Sequence, residues 1–146
     1  MELRFERERS AGYMTNLAAR LFARAIDEKL RGSGVAVGQL PVFFALGTGG
    51  ALSQKVLTEL AAVEQPTMAA TLSRMERNGL VTRKPDPTDR RSVLYQLTAT
   101  AMEKAELIRS AVSEINGLAA SALTEEQLPL YLDMLKRICA ALERRP

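Results

Sequence analysis

The sequence predicts a mainly α-helical chain that carries one small β-hairpin. Alanine and leucine are abundant, and apolar residues recur at helical spacing before residue 79 and after residue 98. Between these two positions the apolar period changes from 3.6 to 2, as expected of two short strands. The 146 residues are 47% hydrophobic and 25% charged, a composition that suits a single globular domain.

Two helices are predicted in the first third of the chain. The first covers residues 10–31 and ends at the segment Gly32-Ser33-Gly34. A shorter apolar helix follows over roughly residues 38–46, before a glycine-rich segment. The apolar stripe of the first helix comprises Met14, Leu17, Leu21 and Ala25.

A third and a fourth helix are separated by only a short connection. Ser53 is a good N-cap for the third helix, which runs to about residue 62. In the fourth, Pro66 falls in the first turn, where its missing N–H costs little, and Gly79 supplies the stop. The residues of the third helix that we expect to face inward are Val56, Leu57 and Leu60.

The hairpin follows the fourth helix directly. Residues 80–84 and 92–97 are predicted as strands, and the proline- and aspartate-rich segment Pro85–Arg91 as the loop between them. This arrangement gives the hairpin a charged tip.

Two further helices are predicted to close the chain. Thr98 caps the first, and the pattern Thr124-Glu125-Glu126-Gln127 is a capping box that opens the second, with Pro129 expected to shift or kink this start. The stripe of the first comprises Ile108, Val112, Ile115, Ala119 and Ala122. The stripe of the second comprises Leu128, Leu132, Leu135, Cys139 and Leu142.

Charge is concentrated in one part of the chain. The segment Gln65–Thr98 holds six basic and three acidic residues, which accounts for the whole net charge of +3. A basic segment within a neutral body suits the phosphate backbone of a nucleic acid. The alternative interpretation of the charge alone is a solvated surface.

Residue usage excludes several classes of function. The chain has no histidine and a single cysteine, so we expect no histidine-dependent catalysis, no metal site and no disulfide within the chain. We expect no enzymatic activity and no cofactor. No apolar run approaches a membrane span and the first residues are charged, so we expect a cytoplasmic protein.

The fourth helix divides into two faces at 100° per residue. Met68, Leu72 and Met75 form an apolar face that should pack on the preceding helix. The second face is short, polar and cationic, as in a recognition helix that enters a major groove. It comprises Thr67, Thr71, Arg74 and Asn78, flanked by Ala70 and Arg77.

Two arginines stand at the tip of the predicted hairpin. Arg90 and Arg91 suit the negative potential of a narrow minor groove, and which of them enters it stays open. A neighbouring carboxylate, for which Asp89 is the candidate, should pair with an arginine or cap the turn. The alternative interpretation is a surface hairpin with an ordinary ion pair.

These segments together resemble the MarR family (multiple antibiotic resistance regulators). The resemblance lies in residues 57–63, 67–83 and 86–91, and above all in the succession Asn78-Gly-Leu-Val81, Asp89-Arg-Arg91 and Leu97-Thr98. It implies a winged helix-turn-helix lobe over 38–98 within a single domain, with dimerisation helices over 10–34 and 99–146.

The resemblance also implies a function and the residues that carry it. The family pattern is a homodimeric transcriptional regulator, expected here to be a repressor, which binds a pseudo-palindromic operator in double-stranded DNA. By position it places Thr67, Thr71 and Arg74 in the major groove and Arg90 or Arg91 in the minor groove. Three positions depart from the family pattern: Leu40, Glu64 and Ala101.

Many members of the family release DNA when a small aromatic or amphipathic molecule binds. The residues that could line such an effector pocket here are Tyr13, Phe43, Phe44 and Tyr95, and the alternative interpretation, favoured for each one, is ordinary core. Cys139 lies on an apolar stripe, so we expect it to be buried and structural. Two rival interpretations stay open: a winged helix used only for protein contacts, and a DNA-binding protein that no effector regulates.

Overall fold

The computed structural model describes Met1 and residues 5–146. The helices are α1 (Ala11–Leu30), α2 (Leu40–Leu46), α3 (Gln54–Ala61), α4 (Gln65–Arg77), α5 (Ala99–Glu103), α6 (Ala105–Ala120) and α7 (Gln127–Glu143). Short 3-10 helices cover Arg7–Arg9 and Val37–Gln39. The strands are β1 (Leu52–Ser53), β2 (Val81–Asp86) and β3 (Asp89–Leu97). The predicted fold class, mainly helical with a small β-hairpin, is confirmed.

The chain divides into two compact units, Met1–Ala111 and Val112–Pro146. The first holds α1–α5, the sheet and the beginning of α6, and is thus wider than the lobe expected over 38–98. The second holds the rest of α6 and all of α7. None of the described helices is both long and apolar enough to cross a membrane.

The core of the first unit lies beneath α4. Its largest fully buried side chains come from α1, α2, α3, α4 and the residue just before β2, so these elements surround one apolar centre. They are Leu30, Val42, Leu46, Leu57, Leu72, Met75 and Leu80. The inward face predicted for α4 is therefore confirmed.

Local capping signals set several of the boundaries as predicted. The hydroxyl of Ser10 accepts from the Tyr13 N–H at the start of α1, and that of Ser53 accepts from the Val56 N–H at the start of α3. Thr98 accepts from the Ala101 N–H at the start of α5. The capping box of Thr124 and Gln127 is present in both directions, one turn before α7 begins.

The hairpin differs from its prediction. Its strands continue through the segment expected to be a loop, and only Pro87 and Thr88 separate them. Strand β3 also pairs with β1, a two-residue strand that the sequence pattern did not predict, so the sheet order is β1-β3-β2. A strand this short carries no alternation that a periodicity argument could detect.

The helix predicted after Thr98 is interrupted. It breaks at Lys104, whose ammonium group donates to the carbonyl of Ser33 in the connection between α1 and α2. Ala122, expected on the stripe of this helix, lies beyond the end of α6. The expectation of one continuous helix is therefore wrong.

Several stripe residues are exposed rather than buried. Leu60, at 65% exposure, and Val56 do not face inward on α3 as expected, because only Leu57 and Thr58 of that helix are buried. On α1, Met14 and Leu21 are exposed. A repeating apolar pattern shows which residues share a face, but burial requires a second surface to cover it.

The second unit shows the same feature throughout α7. No residue of this helix is buried, and Leu132 and Leu142 of the predicted stripe are exposed. Cys139 is exposed as well, so the expectation that it is buried is wrong for the single chain.

Candidate nucleic-acid interface

Helix α4 and the turn before it are fixed to α3 by a small set of polar contacts. Ala62 ends α3 in the left-handed conformation, and the Gln54 side-chain amide donates to Gln65 Oε1 at 3.1 Å. The nearly buried hydroxyl of Thr58 reaches both the Gln54 carbonyl, at 2.7 Å, and Gln65 Oε1, at 3.4 Å. These contacts define the angle at which α4 leaves the turn.

The ends of α4 depend on backbone chemistry. Glu64 stands at the N-cap but makes no side-chain capping bond, as expected from its departure from the family pattern. Asn78 is the C-cap, and Gly79 follows with φ of +72°, a conformation that favours glycine. The helix therefore stops where β2 begins.

The exposed surface of α4 has an outer face and a polar flank. At about 100° per residue, Ala70, Ser73 and Arg77 lie nearly opposite the buried face, and we call them the outer face. The residues Thr67, Thr71, Arg74 and Asn78 lie about a quarter-turn from the buried face, and we call them the polar flank. Sequence reasoning missed Ser73, although its angular position could have identified it.

The two threonines of the polar flank differ in what they can offer. The hydroxyl of Thr71 donates to the Thr67 carbonyl at 2.9 Å, and Thr71 is half-buried. Its proton is therefore used within the helix, so the hydroxyl oxygen can only accept a hydrogen bond from a ligand, and the methyl group can contact it. The side chain of Thr67 is exposed at the first turn.

The opposite flank of α4 is joined to the hairpin by an ion pair. Arg83 Nε of β2 donates to Glu76 Oε1 at 2.9 Å, with side-chain exposures of 54% and 39%. A surface pair of this kind is worth about 0–1 kcal/mol. It removes one carboxylate from the surface that α4 presents.

The tip of the hairpin is closed by a carboxylate. Asp86 Oδ1 accepts from the Thr88 N–H at 2.9 Å and from the Thr88 hydroxyl at 2.7 Å. These hydrogen bonds to Thr88 hold the pKa of Asp86 below its ordinary value of 3.8. The turn is thus most stable with Asp86 ionised.

The tip arginines lie in an irregular part of β3. Asp89 pairs with Asp86, and Val93 pairs with Pro85, so residues 90–92 form a bulge with no residues opposite them. Asp89 Oδ1 accepts from the backbone N–H of Arg91 at 2.9 Å. The carboxylate therefore caps the turn, one of the two roles expected of it, instead of pairing with a guanidinium.

Four arginines of this surface are available to a ligand, whereas its carboxylates are engaged by neighbouring groups. Within the part of the chain that the structure describes, the guanidinium groups of Arg74, Arg77, Arg90 and Arg91 make no hydrogen bond or ion pair, and all four side chains are exposed. The three carboxylates of the same segment, Glu76, Asp86 and Asp89, are engaged locally. The surface of α4 and the hairpin therefore presents positive charge.

The four aromatic residues expected to line an effector pocket lie in two different environments. Phe43 and Tyr95 are buried, and Tyr95 pairs with Leu52 across the sheet. Phe44, at 66% exposure, and Tyr13 are exposed. The two buried rings contribute to the core, and the two exposed rings are accessible to a ligand.

Comparison with known proteins identifies similar chains. The sequence model of the MarR family matches residues 33–92. An uncharacterized HTH-type transcriptional regulator of Bacillus subtilis, YwoH, is 36% identical over 96 residues, which are 66% of this chain and 69% of YwoH.

Two solved structures share the fold across nearly the whole chain. A mutant of MarR from E. coli complexed with operator DNA is 20% identical, with a TM-score of 0.83 over 94% of this chain and 99% of that one. PcaV from Streptomyces coelicolor, in complex with its natural ligand, is 19% identical, with a TM-score of 0.83 over 97% of this chain and 99% of that one. At these identities the likeness concerns the fold.

Proposed function

The chain belongs to the MarR family of transcriptional regulators, and on that premise we propose that it binds double-stranded DNA sequence-specifically as a homodimeric repressor. The observation that carries the proposal is a set of four exposed arginines on two consecutive elements, α4 and the hairpin, that have no partner among the described residues. Charged groups that the protein itself does not neutralise are those a phosphate backbone can neutralise.

Helix α4 enters the major groove in this proposal. The outer face presents small side chains at Ala70 and Ser73, which allow close approach to base edges. Arg74 and Arg77 can each bind guanine O6 and N7 through two hydrogen bonds. Thr67, Thr71 and Asn78 add hydroxyl, methyl and amide groups along the polar flank.

The hairpin enters the adjacent minor groove. Arg90 and Arg91 lie in the bulge at its tip, and β1 and β2 pair with β3 on either side to support it. A narrow, A·T-rich minor groove has the negative potential that attracts such arginines. Lys84, exposed on β2, adds positive charge beside them.

Two protomers form the DNA-binding unit in this proposal. Exposed large apolar side chains lie on α1 in the first unit and on α7 in the second, and an exposed apolar stripe marks an interaction surface. A second copy of the chain would cover these exposed apolar side chains in a symmetric dimer. The residues concerned are Met14, Leu21, Leu130, Leu132, Met134, Ile138 and Leu142.

The dimer is tested by placing a charge on the α7 stripe. We expect Leu132→Asp to shift the protein from dimer to monomer in sedimentation equilibrium at micromolar concentration, because a carboxylate cannot be buried cheaply in an apolar interface. Leu60→Asp is the matched control, since Leu60 is an exposed leucine of α3. A wild-type protein that sediments as a monomer would remove the dimer from the proposal.

A small aromatic or amphipathic effector is proposed to release the DNA. The exposed rings of Phe44 and Tyr13 supply apolar surface for it, whereas Phe43 and Tyr95 are buried in the core. A panel of aromatic carboxylates should include a compound that weakens operator binding by the wild type, and Phe44→Ala should blunt that response without changing DNA affinity. If no compound in a broad panel changes the affinity, the protein is unregulated by such effectors.

DNA binding is tested by fluorescence anisotropy with a duplex enriched from a random library. We expect the wild type to bind with a strong salt dependence and the double variant Arg74→Ala/Arg90→Ala to lose most of its affinity and part of its salt slope. Arg109→Ala is the control, because Arg109 is an exposed arginine of α6 outside the proposed surface. Equal binding by the wild type and the double variant would contradict the proposal.

A further inference from the structure

A shallow pocket of about 250 Å³ lies beside the polar flank of α4. One side is formed by Arg74 and Asn78 of that flank. The other side is formed by the end of α1 and the connection to α2, including Arg31, Gly32 and Gly34. The connection therefore lies directly beside the surface proposed to enter the major groove.

Hydrogen bonds hold this connection in one conformation. The Ser33 hydroxyl accepts from the Val35 N–H at 3.0 Å, and Gln39 Oε1 accepts from the Ala36 N–H at 3.2 Å. Lys104 of the α5–α6 break donates to the Ser33 carbonyl. The connection is thus fixed at both of its ends, and Arg31, which is the C-cap of α1, occupies a defined position.

The charge at the rim of the pocket is positive. Arg31 is exposed, and within the described residues its guanidinium group makes no hydrogen bond or ion pair. The one carboxylate of the pocket, Asp27, accepts from the Val37 N–H at 3.3 Å. As at the hairpin tip, the carboxylate accepts a hydrogen bond from a backbone N–H. The neighbouring arginine therefore stays available to a ligand.

The width of the DNA major groove would place a phosphate close to the rim of this pocket. An α-helix with its side chains is about 10–12 Å wide and the major groove is about 12 Å wide, so the flanks of an inserted helix lie against the sugar–phosphate backbones. The α1–α2 connection lies beside the flank that carries Arg74 and Asn78, so it would face the backbone on that side of the groove.

We propose that Arg31 binds a DNA phosphate, so that the DNA interface includes the α1–α2 connection in addition to the winged helix-turn-helix. This inference rests on the proposed function. Arg31 would contribute affinity and register without reading sequence, since phosphate contacts position a protein on the duplex.

The test is the salt dependence of binding to the enriched duplex. Removing one arginine–phosphate ion pair should lower the slope of log K against log salt by about 0.9, so Arg31→Ala should lower it by about 1.8 for two protomers. We expect weaker binding with unchanged base preference, and recovery of most of the slope in Arg31→Lys. The control is Arg20→Ala, an exposed arginine on the same face of α1, about 16 Å away along the helix.

The possible outcomes distinguish a failure of this inference from a failure of the proposed DNA-binding function. If Arg31→Ala keeps the wild-type slope while Arg74→Ala/Arg90→Ala loses part of it, the phosphate contact is wrong and the proposed function stands. If Arg31→Ala changes base preference at one position, Arg31 reads a base and the inference is also wrong. If the wild type shows no salt-dependent binding to any duplex, the proposed function itself fails.

Discussion

At the scale of single residues, the surface of α4 and the hairpin is positive because its carboxylates are engaged in local hydrogen bonds. Asp86 and Asp89 stand within the basic segment, where they would be expected to oppose a nucleic acid. Each instead accepts a backbone N–H in the hairpin tip, from Thr88 and Arg91 respectively. The same residues that reduce the formal charge of the segment therefore hold its arginines in place.

Arg74 and Arg90 should differ in their effect on sequence preference. Because Arg74 is assigned to a base edge, Arg74→Ala is expected to cost about 1–3 kcal/mol of binding free energy in each half-site and to relax preference at one position there. Arg90→Ala should weaken binding more evenly, with the largest reduction where an A·T-rich flank narrows the minor groove. Titration of both variants against a small library of operator duplexes distinguishes these patterns, and identical profiles would refute the division of roles.

Asp86 should make the stability of the protein depend on pH. Because its folded pKa is depressed below 3.8, its contribution is present above that pH and is lost as the pH falls through the lower folded value. Asp86→Asn should therefore be less stable than the wild type at about pH 6, and the difference should shrink in strong acid. Urea unfolding across this range measures it, and a difference that is constant with pH would contradict the assignment.

At the scale of elements, the sequence predicts those structural features that depend only on residues close together in the chain. The caps at Ser53 and Thr98 and the stop at Gly79 require only local hydrogen bonding and backbone preference, and all were found. The strand pairing of β1 and the helix break at Lys104 depend on partners distant in sequence, which no local pattern contains. The length of the hairpin strands was missed because Asp86 and Thr88 close the turn through side chains.

In the candidate site, too, some features follow from local sequence and others depend on contacts with distant residues. The inward face of α4 was predictable from periodicity, and the polar flank followed from it. The outer-face residue Ser73 was missed although its angular position identifies it, whereas the free state of the arginines depends on which groups each carboxylate contacts. Cys139 and Leu60 were misassigned because an apolar stripe does not identify the surface that covers it.

Thr98 should be a local determinant of how the hairpin joins the helices. Its hydroxyl donates to the Gly79 carbonyl at 2.5 Å and accepts from the Ala101 N–H at 3.2 Å, so it joins the end of α4 to the start of α5. Thr98→Ala is expected to lower the free energy of unfolding by about 1 kcal/mol, within the range of about 0.5–2 kcal/mol for cap removal. Thr100→Ala, at an exposed position of α5, should have little effect in the same denaturant titration.

At the scale of the whole molecule, the surface proposed to bind DNA and the exposed apolar helix α7 belong to different units. The buried apolar core lies mainly in the first unit, which also carries α4 and the hairpin. In the second unit, α7 has no buried residue and exposes several large apolar side chains. In the dimer that we propose, two copies of the chain would present two sets of α4 and hairpin to the DNA.

The most direct test of sequence-specific DNA binding by a dimer is selection of binding sites from a random duplex library by the wild-type protein. We predict enrichment of an inverted repeat whose half-site centres lie about one helical turn, roughly 10 base pairs, apart, because a two-fold dimer presents its two α4 helices to successive major grooves. Enriched duplexes should bind far more tightly than random ones at the same salt concentration. Enrichment of no sequence at all, with no salt-dependent binding to any duplex, would contradict this prediction and the function proposed for the protein.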